Sequence, residues 1–197
     1  YQVTEHDDSI LPFLKYLFKS IKIVYKDFEL QDASWDQMTA FPKIEHLNKL
    51  FTLFCNAFAK IKQQLFIVID DFHVVNHVFQ INYVLDHMIE YAPPNVHFIV
   101  ATRIYPNWDC IRQLKNKRLL TVISEEDFVF TLDEISVLFE DYYETILSEE
   151  EVKRIYDITE GWAMAVILLA MQVENQRYPY DFSKITLQDF NNYLSFE

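Results

Sequence analysis

Glycine constrains this chain more than any other residue: 197 residues contain one, Gly161. Ordinary usage near 7% would supply about fourteen. Phosphate-cradling loops, dinucleotide fingerprints and nucleophile elbows each need several glycines, where backbone turns sharply or approaches a ligand closely. None can be written here, which excludes a self-contained nucleotide-binding enzyme of the usual kind. With 51% hydrophobic and 24% charged residues, a packed core is expected rather than disorder. The length suits one large domain, or one domain with a small satellite.

Charge narrows the partners. There are 17 basic and 30 acidic residues, for a net charge of −13. DNA binding rests on neutralising phosphates, so this balance argues against DNA contact. Cys55 and Cys110 have no close spacing and no companion cluster, and read as free thiols of a reducing compartment. The longest apolar run, residues 163–171, falls short of the roughly 20 residues that span a bilayer. The first residues lack the basic and apolar regions of a targeting signal. A cytoplasmic protein without membrane contact is expected, and the missing initiator Met suggests a piece of something longer.

Residues 9–28 are predicted as an amphipathic helix capped by Asp8 or Ser9. Leu14, Leu17, Phe18, Ile21, Val24 and Phe28 form its apolar face, and Lys15, Lys19, Lys22 and Lys26 a solvated one. A polar loop through residues 32–38 leads to a second helix over 43–64. The run Leu65-Phe-Ile-Val-Ile69 reads as a strand buried on both faces of a parallel sheet. A helix over 78–90, a strand over 97–102, a short helix over 108–116 and a weaker strand over 119–123 follow. This alternation is the mark of a parallel α/β sheet.

Downstream of residue 125 the strand pattern stops. Thr131 with Glu134, and Ser148 with Glu151, are capping boxes that open helices near 132–144 and 149–159. Gly161 breaks the chain before an apolar helix over 162–173, and a last short helix is expected over 186–194. The predicted organisation is an α/β part over 1–124 and an all-helical part over 125–197.

Functional groups of open parallel sheets gather at the carboxyl ends of the strands. Phe66-Ile-Val-Ile-Asp70-Asp71 has the Walker B form, a hydrophobic strand that delivers a carboxylate to its tip. One such carboxylate can hold a hydrated Mg2+ on nucleotide phosphates, and its neighbour can orient water. Arg103 closes the next strand, where a cation would face a terminal phosphate or pair with Asp70 or Asp71. His73 and His77 stand four apart but lack a third ligand and the Glu of a zinc-protease motif, and read as surface or cap residues. Arg112, Lys115, Lys117 and Arg118 read as a solvated loop, with a phosphate or interdomain contact as the alternative.

Taken in order, Ile67-Val-Ile-Asp-Asp-Phe-His73, Pro94-Asn-Val-His-Phe-Ile-Val-Ala-Thr-Arg103, Asp127-Phe-Val-Phe-Thr131, Leu147-Ser-Glu-Glu-Glu-Val152 and Thr159-Glu-Gly-Trp-Ala163 form a pattern. They resemble the STAND-class P-loop ATPase module of MalT-like, large LuxR-type bacterial transcription activators. The resemblance runs from about residue 1 to 173. It implies an incomplete P-loop NTPase-like parallel sheet flanked by helices, followed by a small helical lid domain. Asp70 would hold Mg2+, Asp71 would orient water, Arg103 would be the sensor, and Gly161 and Trp162 would belong to the lid over ATP or ADP. The parent protein would be a transcription regulator that answers an inducer or regulatory protein and self-associates.

The Walker A loop and its strand are missing, and no Gly-Lys-Thr or Gly-Lys-Ser occurs. Most phosphate binding in a P-loop comes from that backbone cradle. This chain alone is therefore expected to take no nucleotide and to be inactive as an ATPase. A degenerate ATPase-fold scaffold, which binds proteins through its acidic surface, is the alternative. The resemblance places the missing strand between residues 97–102 and 119–123. A closed gap, a displaced last strand or pairing with a second copy is expected there.

Overall fold

The computed structural model describes residues 1–30 and 42–176. The expected loop at 32–38 and the expected helix at 186–194 lie outside the described residues. The chain divides into two compact units, Tyr1–Thr121 and Val122–Glu197. Their charges differ sharply. Residues 1–121 hold 13 acidic and 13 basic side chains, whereas residues 122–197 hold 17 and 4. The whole net charge of −13 belongs to the second unit.

The first unit is mixed α/β. Its elements are α1 (Ile10–Val24), α2 (Ile44–Phe58), β1 (Leu65–Ile69), α3 (Phe79–Glu90), β2 (Val96–Val100) and α4 (Asp109–Asn116). β1 and β2 are parallel and in register from Leu65 opposite Val96 to Ile69 opposite Val100. One core joins Phe13, Leu14, Leu17, Phe54, Phe58, Ile67, Ile69, Phe72, Val84 and Leu85.

Several expected boundaries move. α1 ends at Val24 because Tyr25 leaves helical geometry, with φ −111° and ψ 89°. The chain then turns Phe28 back onto Phe58, ring centroids 5.7 Å apart. Phe28 is buried as expected, but Val24 is 73% exposed. Ser9 takes the N-cap position without a side-chain capping bond. α2 stops at Phe58, six residues short of the expectation, and the Asn95 amide fixes the following turn by donating to the Ile61 and Gln63 carbonyls.

The sheet departs from the sequence reading in two ways. β1 is not buried on both faces: Leu65, Ile67 and Ile69 enter the core, while Phe66 is 61% and Val68 45% exposed. Its helices cover one face, and on the other Phe66 stacks on His97 at 4.8 Å. Continuous apolarity fits either a two-sided or a one-sided strand, and only the surrounding layers decide. Residues 119–123 form no strand, and Leu119 and Ile123 are 70% and 64% exposed. Within the described residues no neighbouring ribbon offers that segment a hydrogen-bonding ladder, and its Leu119 N–H bonds locally, to the Leu114 carbonyl.

The Asn95 carbonyl accepts from Leu65 N–H, and Ala101 N–H donates to the Ile69 carbonyl. By the alternation of a parallel ladder, Phe98 and Val100 turn their peptide groups to the far edge of β2. No described backbone group meets them there. Among the described residues nothing closes this edge, and no displaced last strand fills it. On the opposite side residues 1–3 run beside β1: Tyr1 N–H donates to the Val68 carbonyl, Asp70 N–H to the Tyr1 carbonyl and Val3 N–H to the Asp70 carbonyl.

The second unit is helical, with α5 (Leu132–Tyr143), α6 (Glu149–Thr159) and α7 (Ala163–Gln176). Ile135, Phe139, Val152, Ile155, Val166 and Leu169 make its core. Both capping boxes form as written. Thr131 Oγ1 accepts from Glu134 N–H while Glu134 accepts from Thr131 N–H, and Ser148 and Glu151 repeat the exchange.

Candidate functional site

The site is built from the ends of two parallel strands. Because Ile69 lies opposite Val100, Asp70 and Asp71 leave the sheet at the same end as Arg103. Asp70 is tied through its backbone to residues 1–3, and its side chain is exposed. Its Oδ1 accepts the Asp71 N–H at 3.0 Å. Its other oxygen makes no hydrogen bond within the described residues.

Asp71 lies in the left-handed region, φ 56° and ψ 34°. That conformation costs a non-glycine residue roughly 1 kcal/mol and is commonest for Asn and Asp. It turns the chain so that Phe72 N–H reaches the Ala101 carbonyl of the β2 strand end at 3.0 Å. Phe72 is then fully buried and meets Trp108 edge to face, centroids 5.1 Å apart. The turn thereby joins the two strand tips.

Gln2 Nε2 donates to Asp71 Oδ2 at 3.0 Å, and His73 Nδ1 lies 3.9 Å from Asp71 Oδ1. Sequence reasoning passed over Gln2. Three residues are too few for a periodicity, so the pairing of residues 1–3 with β1 left no signal.

Arg103 lies inside a turn in which Thr102 Oγ1 donates to the Ile104 carbonyl at 2.9 Å. Its guanidinium is exposed and makes no ion pair with Asp70 or Asp71 among the described residues, so the pairing alternative does not hold. His73 and His77 sit on a short turn, not on one face of a helix. No group of three or more His, Cys, Asp or Glu arranged to hold a metal occurs among the described residues.

Gly161 and Trp162 belong to the second unit. After α6 the chain takes Glu160 at φ 50° and Gly161 at φ 73°. Two features disfavour any replacement of Gly161. Its φ disfavours a side chain, and a Cβ there would stand 2.4 Å from the Phe130 carbonyl oxygen. Phe130 N–H donates to the Gly161 carbonyl at 2.8 Å, and Val129 bridges Trp162. Trp162 is 45% exposed.

Both thiols are free, as expected. Burial pushes Cys55 up to about 11. Burial, with Asp86 beside it, raises Cys110 further. Neither is poised as a nucleophile at neutral pH. No described helix is long and apolar enough to cross a membrane.

No protein-family model matches the chain. It is similar, however, to proteins described as HTH-type transcriptional regulator MalT. The relative in Vibrio parahaemolyticus serotype O3:K6 is 21% identical over 192 residues, which is 98% of this chain and 21% of the relative. The relative in Klebsiella pneumoniae subsp. pneumoniae is 23% identical over 199 residues, 98% of this chain and 22% of the relative. A second Klebsiella pneumoniae relative, from strain 342, is 23% identical over 191 residues. The chain is distantly homologous to MalT regulators along nearly its whole length, and it spans about a fifth of theirs.

Proposed function

We propose that this chain is the STAND-like regulatory core of a MalT-like transcription regulator, a nucleotide-operated switch that needs further sequence to bind its nucleotide. The observation that carries this reading is the register of the parallel β1–β2 pair, Ile69 opposite Val100, which ends both strands on one side with Asp70, Asp71 and Arg103 just beyond them. In an open sheet that end is where ligands bind.

The residues fit part of a Mg-nucleotide site. An exposed Asp70 carboxylate with a free oxygen suits Mg2+, which keeps most of its waters and takes one or two protein carboxylates. Bound there, Mg2+ would neutralise charge on the phosphates of ATP or ADP. Asp71, held by Gln2, would orient water, and the unpaired Arg103 would sense the terminal phosphate. Gly161 and Trp162 would serve as lid residues. The phosphate cradle has no counterpart, because the one glycine lies in the helical unit. Self-association and an inducer or regulatory protein complete the reading, with the 197-residue chain inactive as an ATPase and without DNA contact of its own.

The test is calorimetric titration with Mg-ATP and ADP, on this chain and on the full-length gene product. The chain alone should bind neither at the strand tips, so Asp70→Ala should leave its titration unchanged. The full-length product should bind both, Asp70→Ala should remove the Mg2+ dependence, and Arg103→Ala should abolish discrimination between the two. Turnover by the 197-residue chain that is lost in Asp70→Ala would overturn the first expectation. A full-length product blind to nucleotide would leave the interaction scaffold. One observation favours that second reading: all of the −13 charge lies in the helical unit, a surface suited to a basic protein partner.

A further inference from the structure

We infer that the first unit carries an anion site, distinct from the strand-tip carboxylates, in the cleft between the loop after β2 and the outer face of α4. The cleft measures about 510 Å3, and its lining includes Tyr105, Asn107, Trp108, Ile111, Arg112 and Lys115. Its ligand is a small, phosphate-bearing molecule, gripped by Arg112 and Lys115.

The charge pattern is the first ground. Residues 103–118 hold five basic side chains and one acidic one, Asp109, inside a unit whose 13 basic and 13 acidic residues balance overall. None of Arg103, Arg112, Lys115, Lys117 and Arg118 makes an ion pair among the described residues, although the unit holds as many acidic groups as basic ones. Part of this has an ordinary explanation. Lys115, Lys117 and Arg118 lie at the C-terminal end of α4, where cations complement the helix dipole. Arg112 lies a full turn earlier and gains nothing from that end. It stands three residues before Lys115, so the two project from neighbouring positions on one helix surface, and both line the cleft.

Rigidity is the second ground. The two oxygens of Asp86 on α3 accept from Asp109 N–H at 3.0 Å and Cys110 N–H at 2.9 Å, which pins the start of α4. Trp108 Nε1 donates to Asn82 Oδ1 at 2.8 Å, and the Asn82 amide is itself held by the Asn76 and Val78 carbonyls. Trp108 is 8% exposed and braced by Phe72. The wall that presents the two cations is thus fixed before any ligand arrives, which lowers the cost of binding. A guanidinium fork beside an ammonium suits a phosphate, the first bidentate and the second a point charge. Tyr105, 59% exposed at the mouth, can lie against an attached organic group.

The 197-residue chain, labelled with 15N, can be titrated with pyrophosphate and read by two-dimensional NMR. Saturable shifts are expected at the Trp108 indole and along α4. Arg112→Gln with Lys115→Gln should weaken binding at least tenfold with the rest of the spectrum unchanged, and Arg112→Lys should restore part of it. Lys15→Gln with Lys19→Gln on α1, and Asp70→Ala at the strand tip, should leave the affinity as it is. Non-saturable shifts, equal loss in the α1 control, loss in Asp70→Ala, or citrate binding as tightly as pyrophosphate would each overturn the assignment. Because Asp70→Ala is an arm of the test, failure here is separate from failure of the switch reading.

Discussion

Gln2 holds Asp71 across 69 residues of sequence, Nε2 to Oδ2 at 3.0 Å, and the Asp71 backbone lies in the left-handed region, φ 56°. The pair joins the start of the chain to the tip of β1. Asp71→Gly relieves the backbone and loses the side-chain bond, two effects of about 1 kcal/mol each that oppose. Its stability should stay within about 1 kcal/mol of the parent. Asp71→Val keeps the strained φ and adds a β-branch, so it should cost about 2 kcal/mol. Urea denaturation followed by tryptophan fluorescence ranks the two, and Val equal to Gly would refute the strain.

Gly161→Ala should be severe, because its Cβ would meet the Phe130 oxygen at 2.4 Å and Val129 Cγ1 at 2.5 Å. A loss of about 2–4 kcal/mol is expected from strain and displacement combined. Hydrogen exchange should locate the loss in α5–α7 and leave the amides of β1 and β2 unchanged.

Acid should loosen the helical unit first. Backbone and side-chain hydrogen bonds from Thr131 hold Glu134 below the usual glutamate range, and those from Ser124 do the same for Asp127. A carboxylate depressed in the folded state contributes stability that is present above its unfolded pKa and lost as pH falls through the folded one. Helicity followed by circular dichroism should therefore hold at neutral pH and fall below the ordinary carboxylate range. Glu134→Gln should flatten part of that limb; an unchanged limb would remove Glu134 from the account.

The thiols should react slowly. With Cys55 pushed up to about 11 and Cys110 raised further by burial and Asp86, little thiolate exists at pH 8. Iodoacetamide labelling counted by mass spectrometry should mark fewer than one cysteine per folded chain in the time that saturates both in urea. Fast native labelling of Cys110 would contradict its burial at 1% exposure.

The open edge of β2 should make the 197-residue chain self-associate. Among the described residues no backbone partner meets the peptide groups of Phe98 and Val100 there, and Phe66, Val68 and Ile99 expose 61%, 45% and 51% on the adjoining face. No Pro or Lys guards residues 96–100, whereas exposed edges are normally protected by such residues. Ile99→Lys should lower light scattering at matched concentration, and Lys60→Glu, away from the sheet, should not.

Period and local chemistry were legible in the sequence. The apolar spacing in α1 and α2, the two capping boxes, the helix-breaking Gly161 and the continuous apolar run of β1 each act over a few residues. The capping boxes, the break at Gly161 and the β1 strand formed where they were read, while α1 and α2 ended four and six residues early. Asp70, Asp71 and Arg103 could be assigned to strand ends because a parallel β–α–β run carries successive carboxyl ends to one side.

Tertiary structure decided the rest. Residues 119–123 are as apolar as many strands, yet a strand is a relation between two ribbons, and among the described residues no second one lies beside them. β1 shows one face to solvent because burial depends on which layers arrive, and neighbouring residues do not encode that. The Gln2–Asp71 bond and the Asp86 cap on α4 span 69 and 23–24 residues. Contacts of that range leave no periodic trace in the chain, since the loop that closes them can have any sequence that reaches.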